Sequence, residues 1–323
     1  MSNPAVSVCC ITYNHEKYIR DALEGFLMQQ TNFSFEILIH DDASTDGTAD
    51  IIREYEAKYP GIIKPIYQTE NQYSKGIDIS ATFNFPRVQG KYIALCEGDD
   101  FWTDPHKLQI QYDFMESHPD YSLCGCRSWH LNEIKKYFLA PRTKREWHEM
   151  YPGMESVAFL WDRPFETATF FFRCDALKRV VNLIVRDTEK MPFGDVQLMY
   201  HLAQQGKTKC LPQRMAVYRM HRNSAMNFSG ESRGFTNLNM FAAHIRLAVY
   251  NHQEAYIPQI IQHAIAIFYS RAGLMDNWKR LLTMLYLKFS LGAKNYKIYR
   301  QCGNHGLTDK LMEKKETASS NAD

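Results

Sequence analysis

For roughly its first 115 residues the chain alternates short, β-branched apolar runs with segments of helical spacing, and each run empties into a polar turn. That order dictates an α/β architecture, in which crossover helices cover the faces of a sheet. Val6 to Tyr13 is the first run. It stops at Asn14, after which Tyr18, Ala22, Leu23, Phe26 and Leu27 recur with the spacing of one helix face. Phe35 to Ile39 is the second run; Asp41, Asp42, Ser44, Thr45, Asp46 and Gly47 follow it, and Ile51, Ile52, Tyr55 and Tyr59 then give a second helix. Ile62 to Tyr67 reads as a third strand, and Pro65, which lacks a ladder donor, assigns it to an edge. Residues 77 to 89 are expected to be helical. A fourth run, Tyr92 to Cys96, ends in Glu97, Gly98, Asp99 and Asp100. Asp104-Pro105 has the form of an N-cap with proline at the first helical position, and Leu108, Tyr112 and Met115 give that helix its inner face.

Beyond residue 120 the patterns loosen. Tyr121 to Trp129, Thr167 to Phe172 and Ala216 to Met220 are expected strands, while Asp175 to Val185 and Val196 to Gln204 are expected helices. Residues 131 to 165 carry Pro141, Pro152 and Pro164 without periodicity, and loops of that length are commonly functional. Helical spacing returns from Phe235 to about Arg300, and the tail ETASSNAD is expected to be disordered.

In an open α/β sheet, ligands bind beyond the carboxyl ends of the strands. Three such ends carry unusual polar residues here: Thr12-Tyr13-Asn14, Asp41-Asp42 and Glu97-Gly98-Asp99-Asp100. Acid pairs also make ordinary turns and helix caps. Carboxylates massed on one edge nevertheless repel one another unless donors or a cation compensate. Magnesium or manganese answers this economically, taking one or two carboxylates together with substrate phosphates. With 38 Lys+Arg against 36 Asp+Glu, the net charge of +2 provides no global field for nucleic acid. The eight cysteines include no C-x-x-C pair, and Cys124-Gly-Cys126 has no partner pair for a zinc site, so buried thiols are expected.

The segments VSVCCITYNHEKYI, EILIHDDASTDGT and GKYIALCEGDDFWTDPHKL resemble the successive motifs of family 2 glycosyltransferases with the GT-A nucleotide-sugar fold. Later segments, ETATFFFR, FGDVQLMYHLAQQG and AVYRMHRNS, resemble that family's acceptor-side strand, base motif and closing segment. The resemblance spans residues 5 to about 226 and is of the bacterial surface-polysaccharide type. It implies a GT-A catalytic domain over 1–230, with a nucleotide-binding half at 1–115 and an acceptor-binding half at 116–230. A helical C-terminal region at 231–305 and a disordered tail at 306–323 complete the expected organisation.

The resemblance also implies roles. Thr12, Tyr13 and Asn14 would line the nucleotide, and Asp42 would accept a hydrogen bond from its base. Glu97, Asp99 and Asp100 stand at the family's D-x-D-D position, with Glu97 in place of the usual leading Asp. Glu97 and Asp99 would touch the donor, and Asp99 and Asp100 would bind Mn2+ or Mg2+. Asp195 matches the general base of inverting members, with Glu166 as a competing acid. His221 lies between Arg219 and Arg222; the imidazole would reach the metal and the two guanidinium groups the diphosphate, since arginine suits phosphate and a neutral imidazole can ligate a metal. Trp102, directly after the acids, is the expected acceptor-side contact.

The reaction so implied is metal-dependent transfer from a nucleotide-sugar donor, a UDP-sugar, to a hydroxyl of a glycan or lipid-linked saccharide. A sugar-phosphate nucleotidyltransferase is the alternative enzyme, although Thr12-Tyr13-Asn14-His15 lacks the glycine-rich phosphate loop of that class. A nucleotide-sugar-binding protein without catalysis is the other. Residues 278–300 hold six cations and no acid among leucines and aromatics. They read equally as a core-packed helix with a basic outer face or as a contact with an anionic membrane surface. The start of the chain has no cationic segment before its apolar run, so the expected location is cytoplasmic, with peripheral attachment to the inner face of the plasma membrane where 278–300 meet lipid.

Overall fold

The computed structural model describes residues 3–140, 165–187, 194–221 and 248. The expectations for Arg222, for most of 131–165, and for the 231–305 helices, the 278–300 segment and the tail lie outside these residues. Among the described residues no helix is long and apolar enough to cross a membrane.

Strands β1 (Val6–Thr12), β2 (Phe35–Asp41), β3 (Ile63–Tyr67) and β4 (Tyr92–Leu95) form the parallel part of one sheet. Helices α1 (Ile19–Leu27) and α2 (Thr48–Lys58) make the first two crossovers. β1, β2 and β4 are buried on both faces, which is why they read as continuous apolar runs rather than alternating ones. Among the described residues β3 pairs only with β2 and ends the sheet, as Pro65 predicts.

The sheet then changes hand. After the short β5 (Phe101–Trp102) and α3 (Lys107–Ser117) come β6 (Tyr121–Asn132), β7 (Tyr137–Leu139) and β8 (Phe171–Arg173). Helices α4 (Cys174–Asp187) and α5 (Gly194–Ala203) precede β9 (Lys207–Met220). β8 inserts antiparallel between β4 and β6, β6 runs parallel to β9, and β5 closes the edge antiparallel to β9. The order is β3-β2-β1-β4-β8-β6-β9-β5, with β7 paired to β6. This is a mixed sheet with helices, the GT-A architecture expected from the sequence.

Several boundaries differ, each for a local reason. Asp104 caps a turn rather than α3 itself: its Oδ1 accepts the His106 N–H at 2.8 Å, and the helix begins at Lys107. Residues 80 to 87 form two short helical turns instead of one helix, with Asp78 Oδ1 accepting the Ala81 N–H at 2.8 Å. Thr167–Thr169 is a 3-10 turn, because the Glu166 carbonyl accepts both Thr169 N and Thr169 Oγ1. β9 starts nine residues before Ala216, its early half disguised by cations and Pro212.

Two apolar layers flank the sheet. Ile19, Leu23, Phe26 and Leu108 pack with Val6, Val8 and Ala94 on one face; Phe170, Phe172, Val180, Leu198 and Leu202 pack with Ile93 and Leu95 on the other. All seven described cysteines are buried and free, and burial pushes their thiols up, Cys126 to about 11. Trp102 belongs to the first layer. It is 2% exposed, donates its indole N–H to the Ala168 carbonyl at 2.8 Å, meets Phe26 edge-on and carries the buried Lys107 ammonium 4.1 Å from its ring. Its expected acceptor contact is therefore corrected: the ring has no free face for a sugar, and its task is to fix the 167–169 turn.

Candidate active site

The carboxyl end of β4 runs along β1, with Cys96 N donating to Cys9 O and Gly98 N to Ile11 O at 2.9 Å. Gly98 is required by this approach, since a Cβ there would sit 2.6 Å from Thr12 Oγ1. The acids of one strand end are thereby laid against the other. β5 pairs Phe101 and Trp102 with Val217 and Ala216, which brings the end of β9 past the same spot. This pairing explains how His221 reaches Asp99 across 122 residues, Nε2 to Oδ2 at 2.9 Å.

Arg219 locks the crossing. It is 4% exposed; its backbone N–H donates to Asp100 Oδ1 at 2.8 Å and its Nε to the Asp99 carbonyl at 2.8 Å. Its two terminal nitrogens pair with Glu133 and Asp21, and the guanidinium sits between the Tyr18 and Phe101 rings, 4.8 Å from each. Each nitrogen of the group has one partner within the protein, so Arg219 acts as a clamp at this crossing, and one N–H on each terminal nitrogen remains beyond these bonds. Arg219 and His221 also line a cleft of about 590 Å³ with Lys17, Tyr18, Glu133 and Lys136.

The acids differ in state. Asp100 is 1% exposed, and its Oδ2 has no hydrogen-bond partner among the described residues. Burial, followed by the charges of Asp99 and Glu97, pushes its carboxyl well above the usual range. Burial also raises Asp99, but the His221 hydrogen bond and the His15 and His221 charges outweigh it and hold that carboxyl below its ordinary value. Ligand atoms of Glu97, Asp99 and Asp100 lie within 4.8 Å of one another, and so do those of His15, Asp99 and His221. A buried carboxylate oxygen without a donor costs about 1–3 kcal/mol. An oxygen-rich set around such an orphan atom fits Mn2+ or Mg2+.

His15 was given no role from sequence. Its one signal in the sequence is position, one residue beyond Thr12-Tyr13-Asn14 at the carboxyl end of β1. Asn14 and Ala43 both adopt left-handed backbone, at φ 55° and 62°, and brace the two loops: Asn14 Oδ1 accepts Thr45 N–H at 2.8 Å, and Ser44 Oγ accepts Asn14 N–H at 2.9 Å. Tyr13, 43% exposed, stands open at this edge, while Thr12 is buried. Asp42 is 4% exposed, its oxygens accepting the backbone N–H groups of Gln72 at 2.8 Å and Tyr73 at 3.0 Å. It fixes the loop after β3, with one lone pair on each oxygen left for a base.

Asp195 opens α5. Its Oδ1 accepts the Val196 N–H at 2.8 Å and its Oδ2 the Thr167 hydroxyl at 3.1 Å. Because Leu95 N donates to Phe170 O at the start of β8, the 167–169 turn lies on the same carboxyl edge as the acids. Glu166, the competing acid, is paired with His130 at 3.0 Å, and its charge is felt at Asp100.

The model of the glycosyl transferase family 2 matches residues 7–181. The chain belongs to glycosyl transferase family 2. An uncharacterised family relative, the glycosyltransferase alr2836 of Nostoc sp., is 30% identical over 224 residues, covering 67% of this chain and 65% of that one. The chain spans about a third of the length of other curated relatives, which it matches at 46% identity over 121 residues. Among solved structures, S. aureus TarS in complex with UDP-GlcNAc aligns with TM-score 0.63 at 17% identity, over 92% of this chain and 90% of that one. Mannosyltransferase PcManGT from Pyrobaculum calidifontis, in complex with GDP-Man and Mn2+, aligns with TM-score 0.52 at 15% identity, over 96% and 89%. These two likenesses establish the fold of this family 2 chain.

Proposed function

We propose that the chain is an inverting glycosyltransferase that moves a sugar from a UDP-sugar to a hydroxyl of a glycan or lipid-linked saccharide. The single observation that carries this reading is the meeting of two clusters at Asp99, one with Glu97 and Asp100 and one with His15 and His221, with the Oδ2 of Asp100 buried and unpartnered among the described residues, at the strand edge where a nucleotide belongs. Thr12, Tyr13 and Asp42 at the ends of β1 and β2 supply the surface for base and ribose, and Asn14 holds the two loops in register. Asp99, Asp100 and His221 would hold Mn2+ or Mg2+. When bound, such an ion neutralises the charge that develops on a departing diphosphate.

The protein's own acid–base work falls to Asp195. Its carboxylate takes the proton of the attacking hydroxyl as the new anomeric bond forms and the bond to the diphosphate breaks on the opposite face. The hydroxyl of Thr167 orients it. Arg219 keeps Asp99 and Asp100 aimed, through their backbone and side chain respectively.

Asp195→Asn tests the assignment. Transfer should fall on the order of 10²- to 10⁴-fold, the range for a lost general base, while calorimetry finds UDP-sugar binding unchanged. Near-normal transfer would remove Asp195 from the mechanism.

A further inference from the structure

We propose that His15 is a direct ligand of the divalent ion, oriented by Thr12, and that it makes the site select Mn2+ or Co2+ over Mg2+. The inference rests on the metal-dependent reading above and specifies which side chains complete its coordination. His15 Nδ1 lies 3.1 Å from Thr12 Oγ1, which fixes the ring and turns Nε2 inward. That Nε2 is 3.9 Å from Asp99 Oδ2, and His221 Nε2 is 2.9 Å from the same oxygen. Ligand atoms bonded to one ion at about 2.1 Å sit roughly 3 Å apart when adjacent and 4 Å apart when opposed, so both separations suit a shared cation. The two rings are steeply crossed, at 85° with centroids 6.2 Å apart, and therefore approach that point from different directions.

The backbone supports the same conclusion. Asn14 in left-handed conformation turns the chain just before His15, and the His15 carbonyl accepts Tyr18 N–H and Ile19 N–H, both at 2.8 Å, to start α1. The imidazole is thus held from both sides before any ion arrives. A ligating histidine whose second nitrogen is hydrogen-bonded is the usual arrangement at metal centres. Two imidazoles change which ion the site prefers. Magnesium keeps oxygen ligands and water, whereas nitrogen favours transition ions.

Electron spin-echo modulation of Mn2+ bound to the full chain with UDP counts the ligating nitrogens without any turnover. Two imidazole nitrogens are expected, and one in His15→Gln. Mn2+ affinity should fall roughly 10- to 100-fold in His15→Gln and about tenfold in Thr12→Val, the range for losing ligand support, with Mg2+ affinity moving far less. A wild-type spectrum with a single nitrogen, or an unchanged Mn2+ to Mg2+ ratio in His15→Gln, overturns the role of His15 while leaving the donor metal in place. Failure of the wild-type chain to take up Mn2+ with any nucleotide overturns both. Should His15→Gln not fold, the wild-type spectrum and Thr12→Val decide.

Discussion

The two pairs of adjacent aspartates look alike in sequence and behave oppositely in space. Asp41-Asp42, at the end of β2, has a protein donor on every oxygen: Asp42 accepts the backbone of Gln72 and Tyr73, and Asp41 accepts the backbone and hydroxyl of Ser44. Asp99-Asp100 follows β4 with an oxygen left over, since Asp100 Oδ2 is buried without a donor. One pair therefore stabilises the fold at this edge, and the other stores unfavourable electrostatics that a proton or a bound cation relieves. Satisfaction of the carboxylate oxygens, rather than acid content, separates these two pairs.

That contrast can be broken by substitution. Asp100→Asn should have the largest effect, removing several kcal/mol of charge stabilisation, or roughly 10³-fold in transfer. It should also abolish the rise in melting temperature on adding Mn2+. In metal-free protein, however, it should melt no lower than the parent, because a neutral amide relieves the repulsion from Asp99 and Glu97; a clear drop would refute the stored-strain view. Asp42→Asn should do the reverse. Setting an amide N–H₂ against the Tyr73 N–H costs about 1–3 kcal/mol of stability, visible in thermal melts, with Mn2+ uptake intact. The smallest effect is expected from Trp102→Phe. It keeps the apolar packing and loses the bond to Ala168, about 1 kcal/mol of stability; a selective rise in acceptor KM at unchanged melting temperature would restore the acceptor contact that its burial argues against.

How much was legible in the sequence follows from how local each cause is. β1, β2 and β4 announce themselves because strands buried on both faces must be apolar throughout. The acids at their ends are legible because loops at the carboxyl edge converge whatever the rest of the chain does. Trp102 misleads, since its position beside the acids is local while its burial under Ala168 depends on a turn 66 residues away. The clamp made by Arg219 is hidden for the same reason: Asp21 and Glu133, which pair with it, come from other parts of the chain. His15 is silent in sequence because one histidine in a turn acquires meaning only when a second arrives from β9. The early half of β9 stays hidden behind Lys207, Lys209 and Pro212, which suggest a loop until pairing with β6 overrides them.

The dependence of Asp99 on His221 also has a temporal side. Synthesis from the amino terminus delivers the acidic turn first, and the imidazole that pairs with it follows 122 residues later. At about 5–20 residues per second the interval is roughly 6 to 24 s. A nascent chain thus carries its carboxylates for many seconds without the partner that tempers them. Closure of the Asp99–His221 pair therefore waits until the end of β9 has been made.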